Sequence, residues 1–152
     1  DTATTEIYSL SLHDALPILK ANSVPYDVWE KQGHLLATEG NVIHYDFIEK
    51  FICDLGKKYH ILEIAVDRWN ATQMIQNLEG AGFTMVPFGQ GFASMSTPTK
   101  EFYRLLMEGQ IIHGGHPVLR WMAGNVVIET DAAENIKVTK AKSKEKIDGI
   151  VA

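Results

Sequence analysis

The sequence predicts an α/β layered domain, and three observations predict it. Short β-rich runs, ILEIAV at 61–66 and FTMVPF at 83–88, alternate with stretches whose apolar residues recur at helical spacing. Two further runs, NVVIET and NIKVT, are separated by residues 131–134 as the arms of an antiparallel hairpin would be. Composition fits one hydrophobic core: 152 residues, 45% hydrophobic and 22% charged, without an internal repeat.

Taken in order, residues 1–19 read as foreign to the rest. The stretch IYSLSLHDALPI resembles translated sequencing-adapter read-through; the alternative is a short helix broken at Pro17. The domain proper is expected over residues 20–152. Pro25, Gly33 and Gly40 punctuate 24–40, which reads as loop with a short strand or ribbon. In 41–59, Val42, Ile43, Phe47, Ile48, Phe51, Ile52 and Leu55 recur at helical spacing, and Gly56 with two lysines marks the stop. The strand at 61–66 follows. The next helix is expected from Asn70, whose spacing to Gln73 is close to a capping box, and it should end near Gly80 and Gly82. FTMVPF then leads through GQGF to a helix starting near Pro98, with Phe102, Tyr103, Leu105 and Leu106 as its inner face. A short apolar piece (QIIH), a turn and a helix over HPVLRWMAG precede the hairpin.

Several function classes fall away. No apolar run approaches about 18 residues, so no membrane span is expected, and the N-terminus lacks a basic-then-apolar signal. Cys53 is the single cysteine, without zinc-type neighbours, and reads as a buried helix residue. His44, His60, His113 and His116 lack zinc spacing, GQGF lacks a dinucleotide-binding context, and Trp29, Trp69 and Trp121 read as packing residues. The formal charge of −5 argues against a protein that coats polyanions, yet leaves room for a local basic site.

Two carboxylates stand out. Asp67 ends an apolar strand, and the C-terminal ends of strands in open α/β sheets are where ligands bind. Its alternative role is to cap the following helix. Asp148 lies between Ile147 and Ile150, so burial of its neighbours would hold it beside the core edge; a cap or a turn before Gly149 is the alternative. Ahead of it run Lys137, Lys140, Lys142, Lys144 and Lys146, either a solvated face or a phosphate-binding cluster. Carboxylates that hold divalent metal, beside lysines that hold phosphates, suit phosphodiester hydrolysis. Two Mg²⁺ or Mn²⁺ ions about 4 Å apart activate water and stabilise the leaving oxygen. Hard cations select Asp and Glu as ligands, and two ions normally need three or more carboxylates, so two candidates are one short.

From Val24 to Ala152 the chain resembles the nuclease domain of the large terminase subunit of tailed phages. The resemblance rests on VPYDVWEKQGHLLATEGNVIHYDFIE, IAVDRWNA, FGQGFASMSTPTKE, GQIIHGGHPVLRWMAGNVVIETDAAENIKVTK and, above all, the terminal KIDGIVA. It implies an RNase H-like fold, a mixed sheet flanked by helices, and a two-metal DNA endonuclease using Mg²⁺ or Mn²⁺ to cut concatemeric genomes. Carried over residue by residue, Asp67 and Asp148 match family metal-binding acids, and Lys140 and Lys146 match lysines beside the second. Lys142 and Lys144 extend that cluster toward DNA. Asn125 and His113 fall in matching stretches without an assigned role. The implied partners are double-stranded phage DNA, the ATPase motor domain of the same full-length chain, the terminase small subunit and the portal, in the cytoplasm of a bacterial host.

The departures set further expectations. The family's first metal-binding Asp should precede Val24, where the adapter-like stretch stands, and Asp14 lacks a strand to position it. No GxxxxGK[ST] segment represents the motor. The expectation is therefore a partial nuclease domain missing its first strand or strands, and a weak nuclease on its own. Two other readings stay open: a resolvase- or integrase-type RNase H-like nuclease, and a non-catalytic DNA- or motor-docking module.

Overall fold

The computed structural model describes residues 9–11, 24–38, 45–67 and 72–152. The expectations for Asp14, Pro17, Gly40, Val42, Ile43, His44, Trp69 and the Asn70 cap lie outside the described residues. Strand β1 (Ser9–Ser11) pairs in parallel with β2 (Leu36–Thr38), with Leu10 opposite Ala37. Between them lies helix α1 (Tyr26–Lys31). Helix α2 (Tyr45–Gly56) leads to β3 (Ile64–Val66), α3 (Thr72–Gly80) and β4 (Met85–Pro87). Strands β3 and β4 are parallel neighbours joined through α3, a βαβ unit that pairs Ala65 with Val86. Pro87 has no N–H to give a ladder and closes its strand at the end of this pair.

Helix α4 (Phe92–Met107) and helix α5 (Pro117–Asn125) precede the hairpin of β5 (Ile128–Thr130) and β6 (Ile136–Val138); helix α6 (Asp148–Val151) follows. The hairpin is antiparallel, with Glu129 opposite Lys137. Its corner is closed by Asp131, whose side chain accepts from the N–H groups of Ala133 and Asn135 and from the Asn135 amide, each at 2.9 Å. Those donors, the Asn135 side chain foremost, hold the Asp131 carboxyl below the usual carboxylate range.

The main buried cluster joins distant parts of the chain. Val24, Tyr26, Trp29 and Leu35 pack with Val118 and Met122 of α5, and Trp121 and Ile150 close against them. Tyr26 meets Trp29 and Trp121 edge-on, with ring centroids 5.8 Å apart in both pairs. This cluster carries α6, because Ile150 packs against it and the Gly149 N–H donates to Met122 Sδ at 3.2 Å. A second junction sits at Gly56, where a Cβ would lie 2.8 Å from Phe83 Cζ. A side chain there would displace the Phe83 ring; its absence lets α2 approach the end of α3 closely.

Three expectations are corrected. Residues 24–40 contain a helix, α1, as well as the short strand. Tyr26 and Trp29 stand one helical turn apart and are both buried, so core packing outweighs the flanking turn residues. Gly33, at φ +75°, then turns the chain so that the His34 N–H reaches the Trp29 carbonyl at 2.8 Å. The second concerns α4, which begins at Phe92, with Gly91 in extended conformation as its cap and Pro98 inside it. Pro98 removes the bond to the Ser94 carbonyl, a cost of about 3 kcal/mol. Packing offsets this: Met95, Ser96 and Thr99 are buried, and Ser96 Oγ accepts from the Ile136 N–H of the hairpin. Third, the inner face of α4 is therefore its N-terminal half, while Phe102, Tyr103 and Leu106 are exposed. Cys53 is helical as expected but only half-buried. No helix among the described residues is long and apolar enough to cross a membrane.

Candidate functional site

Asp148 is built into the molecule by its neighbours. Ile147 is fully buried and caps α6, its carbonyl accepting from the N–H groups of Ile150 and Val151 at 2.9 and 3.2 Å. Gly149 is buried on the other side. Asp148 is thus the first residue of a helix that lacks a side-chain cap, while its carboxylate stays half-exposed and pairs with Lys140. The single acid set among apolar residues in KIDGIV has this physical meaning: the flanking residues are pinned and the acid is presented.

The lysines come from a turn that the hairpin delivers. Thr139 is buried, its N–H bonded to the Val127 carbonyl at 3.0 Å, and Ser143 Oγ donates to the Thr139 carbonyl at 2.7 Å. The chain therefore folds back after β6 and brings Lys140, Lys144 and Lys146 around Asp148. These residues, with Glu145 and Ile147, line an open cleft of about 300 Å³. Asn125, whose role the sequence left open, donates from Nδ2 to the Lys146 carbonyl at 3.3 Å and ties the cleft wall to the end of α5. Lys142 faces another way and pairs with Glu129 at 3.1 Å, holding that carboxyl below its usual range.

Asp67 follows Val66 directly at the C-terminal end of β3 and is half-buried. It is not among the residues lining the Asp148 cleft. His113 takes a structural part, its Nδ1 accepting from the Gly115 N–H at 3.1 Å in a turn where Gly114 and Gly115 have φ of +59° and +72°. His116 opens α5, and its ring meets that of His34 at 5.0 Å. Trp29 and Trp121 are packing residues, as expected.

Sequence reasoning missed Glu145 and Tyr26. Glu145 lies three residues before Asp148, in the bend that leads into α6, and adds a carboxylate to the cleft; its place in KEKID was its only signal. Tyr26 comes from the other end of the domain. Burial first, then the charges of Glu145 and Asp148, push its phenol up to about 12.

The donor set bears on a metal in two ways. By type it suits a hard divalent cation: Asp148 offers solvent-facing carboxylate oxygens, and the Lys140 ammonium already sits on one of them as a cation would. By number it falls short of two ions. Among the described residues no group of three or more His, Cys, Asp or Glu side chains is placed to hold a metal.

Comparison with known proteins places this architecture. The mixed α/β fold is that of a truncated RNase H-like domain, and it matches a solved structure. That structure is the crystal structure of the HK97 bacteriophage large terminase, with a TM-score of 0.87 and 33% identity over 96% of this chain and 31% of that one. Residues 13–152 match the family described as terminase large subunit, endonuclease domain, and the chain belongs to that family. The large terminase subunit of Enterobacteria phage HK97 is 36% identical over 135 residues, 88% of this chain and 27% of the relative. Protein YmfN of Escherichia coli K12 is 30% identical over 129 residues, 84% of this chain and 28% of the relative. The chain thus spans between a quarter and a third of the length of these proteins.

Proposed function

We propose that the domain is a metal-dependent DNA endonuclease that hydrolyses phosphodiester bonds in concatemeric phage genomes. The observation that carries this reading is the cleft where lysines gather around an anchored, solvent-facing Asp148. Asp67 and Asp148 are its metal ligands, and Mg²⁺ or Mn²⁺, two ions in the complete site, would activate water and offset the charge on the phosphodiester. Asp148 presents a carboxylate to the cation, while Lys140, Lys144 and Lys146 hold the phosphates of double-stranded DNA and Lys142 joins them from Glu129. Surface ion pairs contribute about 0–1 kcal/mol, so a phosphate can displace the carboxylate from Lys140 or from Lys142. In the full-length protein the domain would work beside an ATPase motor domain, with the terminase small subunit and portal, in the host cytoplasm. We further propose that residues 1–19 are foreign in sequence, although Ser9–Ser11 pair with β2, and that they stand where the family's early strand carries a third acid.

The test compares this chain with a chimera in which residues 1–19 are replaced by the preceding nuclease segment of the HK97 relative. Supercoiled plasmid is incubated with each in Mn²⁺, in Mg²⁺ and in EDTA. The expected result is nicked and linear DNA from the chimera with either metal, little from the present chain, and none in EDTA. A chimera that binds DNA without cutting it would favour the docking-module reading instead.

The lysines make a separate expectation. Replacing Lys140, Lys142 and Lys144 with Ala weakens DNA binding and flattens its salt dependence by about one unit of slope for each phosphate that is no longer neutralised. Fluorescence anisotropy across a salt series measures this. An unchanged slope would leave the lysines as a solvated face.

A further inference from the structure

Strands β3 and β4 run parallel with Val66 opposite Pro87, and the Phe88 N–H continues their ladder by one bond, to the Val66 carbonyl at 2.9 Å. The next pair at the same level is therefore Asp67 and Phe88, with backbones roughly 5 Å apart as in neighbouring strands generally. Both stand at the C-terminal ends of parallel strands, where loops diverge and ligands bind. An apolar ring would be expected to turn inward, yet Phe88 is 38% exposed. The other exposed aromatic residues among those described lie elsewhere: Tyr45 and Phe47 on α2, Tyr59 just after it, Phe102 and Tyr103 on α4.

The position is held from both sides. Ahead of the ring is the bond to Val66; behind it, Gly89 lies so close to the start of α4 that a Cβ would stand 3.0 Å from Ser94 Oγ. A side chain presented from backbone that is already fixed loses less freedom when it binds. The ring has no polar group, so what it offers to DNA is a π-face, which suits a nucleobase taken out of the helical stack. Phosphates are provided for separately, by the lysines of the Asp148 cleft.

We propose that Phe88 stacks on a nucleobase of the strand being cut, next to the phosphate brought to Asp67, so that the site takes locally unstacked DNA in preference to undisturbed duplex. The proposal rests on the reading of Asp67 as part of the nuclease site, but the stack is measurable without metal and without cleavage.

Fluorescence anisotropy in EDTA compares the parent chain with Phe88→Ala, Phe88→Leu and Phe88→Trp. The probes are a single-stranded oligodeoxynucleotide, the duplex of the same sequence, and an oligomer of abasic deoxyribose phosphates. Phe88→Ala and Phe88→Leu should bind the single strand about tenfold more weakly, or about 1.4 kcal/mol, a loss in the range for one base on an aromatic ring. Phe88→Trp, which keeps a π-face, should bind at least as well as the parent. Duplex affinity comes from phosphates and should change by less than about twofold in every variant. The abasic oligomer should not distinguish Phe88→Ala from the parent. A single-strand affinity unchanged in Phe88→Ala, one fully kept in Phe88→Leu, or an equal loss on the abasic oligomer would each overturn the stack. So would a fall in Tm with binding unchanged, which would make the ring a packing residue. If the chimera with the HK97 segment cuts no DNA while the single-strand pattern holds, the nuclease reading fails and the stack stands. Cleavage by the chimera with all variants binding single strands alike would leave the nuclease reading and remove the stack.

Discussion

Mn²⁺-dependent plasmid cleavage by the chimeric domain is expected to fall by at least about 100-fold in Asp148→Ala and in Asp67→Ala. Losing an outer partner of a metal ligand already costs about 10–100-fold, so losing the ligand itself should cost more. In free-energy terms 100-fold is about 2.7 kcal/mol of transition-state stabilisation. Stability should change little in Asp148→Ala, because its ion pair with Lys140 is exposed on both sides, with 55% of the Lys140 side chain and 49% of Asp148 open to solvent. Loss of cleavage with an unchanged melting curve would therefore separate chemistry from folding. Cleavage within about threefold of the parent in both variants, less than 1 kcal/mol of barrier, would sink the assignment. Loss in Asp148→Ala alone would confine the site to the cleft. Glu145→Gln offers the discriminating control: it keeps side-chain volume and removes the charge that shares the cleft with Asp148.

How much of this was legible in the sequence depends on whether the signal was local. The βαβ unit and the hairpin were legible, because each rests on short apolar runs and on turn chemistry confined to a few residues, such as Asp131 with Asn135. Asp67 and Asp148 stood out as candidates for the same local reason, each an acid set against an apolar run. Helix α1 was not visible, because its evidence is two aromatic anchors that count only once Val118 and Met122 are packed against them. The start of α4 was misplaced because Pro98 is a strong local signal, while the burial of Met95 and Ser96 that offsets it depends on the hairpin. Tyr26 lay outside local reach altogether. Its burial and ring contacts exist only after α1 and α5 share a core, and nothing in VPYDVWEK marks that tyrosine out from any other apolar helix residue.

The same core dependence sets the second large effect, which falls on stability. Ile147 is fully buried, and its backbone carbonyl accepts two of the N–H groups of α6. With four residues, α6 cannot sustain itself in water, since isolated helices shorter than about 12–15 residues are marginal. It persists because Ile147 and Ile150 are inserted beneath it. Ile147→Ala removes most of that anchor and leaves a cavity, a change that costs about 2–5 kcal/mol at fully buried aliphatic sites. For a domain of this size each kcal/mol corresponds to roughly 2–4 °C in Tm, so a fall of about 5–15 °C is expected. Ile147→Val, which removes one methylene, should cost only about 0.5–1.5 kcal/mol. Urea denaturation of the three proteins measures the series. The variants should also differ at the site: as α6 loosens, Asp148 loses its fixed relation to Lys140, so Mn²⁺ affinity should decline in the same order as stability. A stability loss below about 0.5 kcal/mol in Ile147→Ala, the lower bound for even a single methylene, would mean that α6 is not held by this side chain. An intact Mn²⁺ affinity despite a full stability loss would mean that the carboxylate is positioned by the cleft lysines without help from the helix anchor.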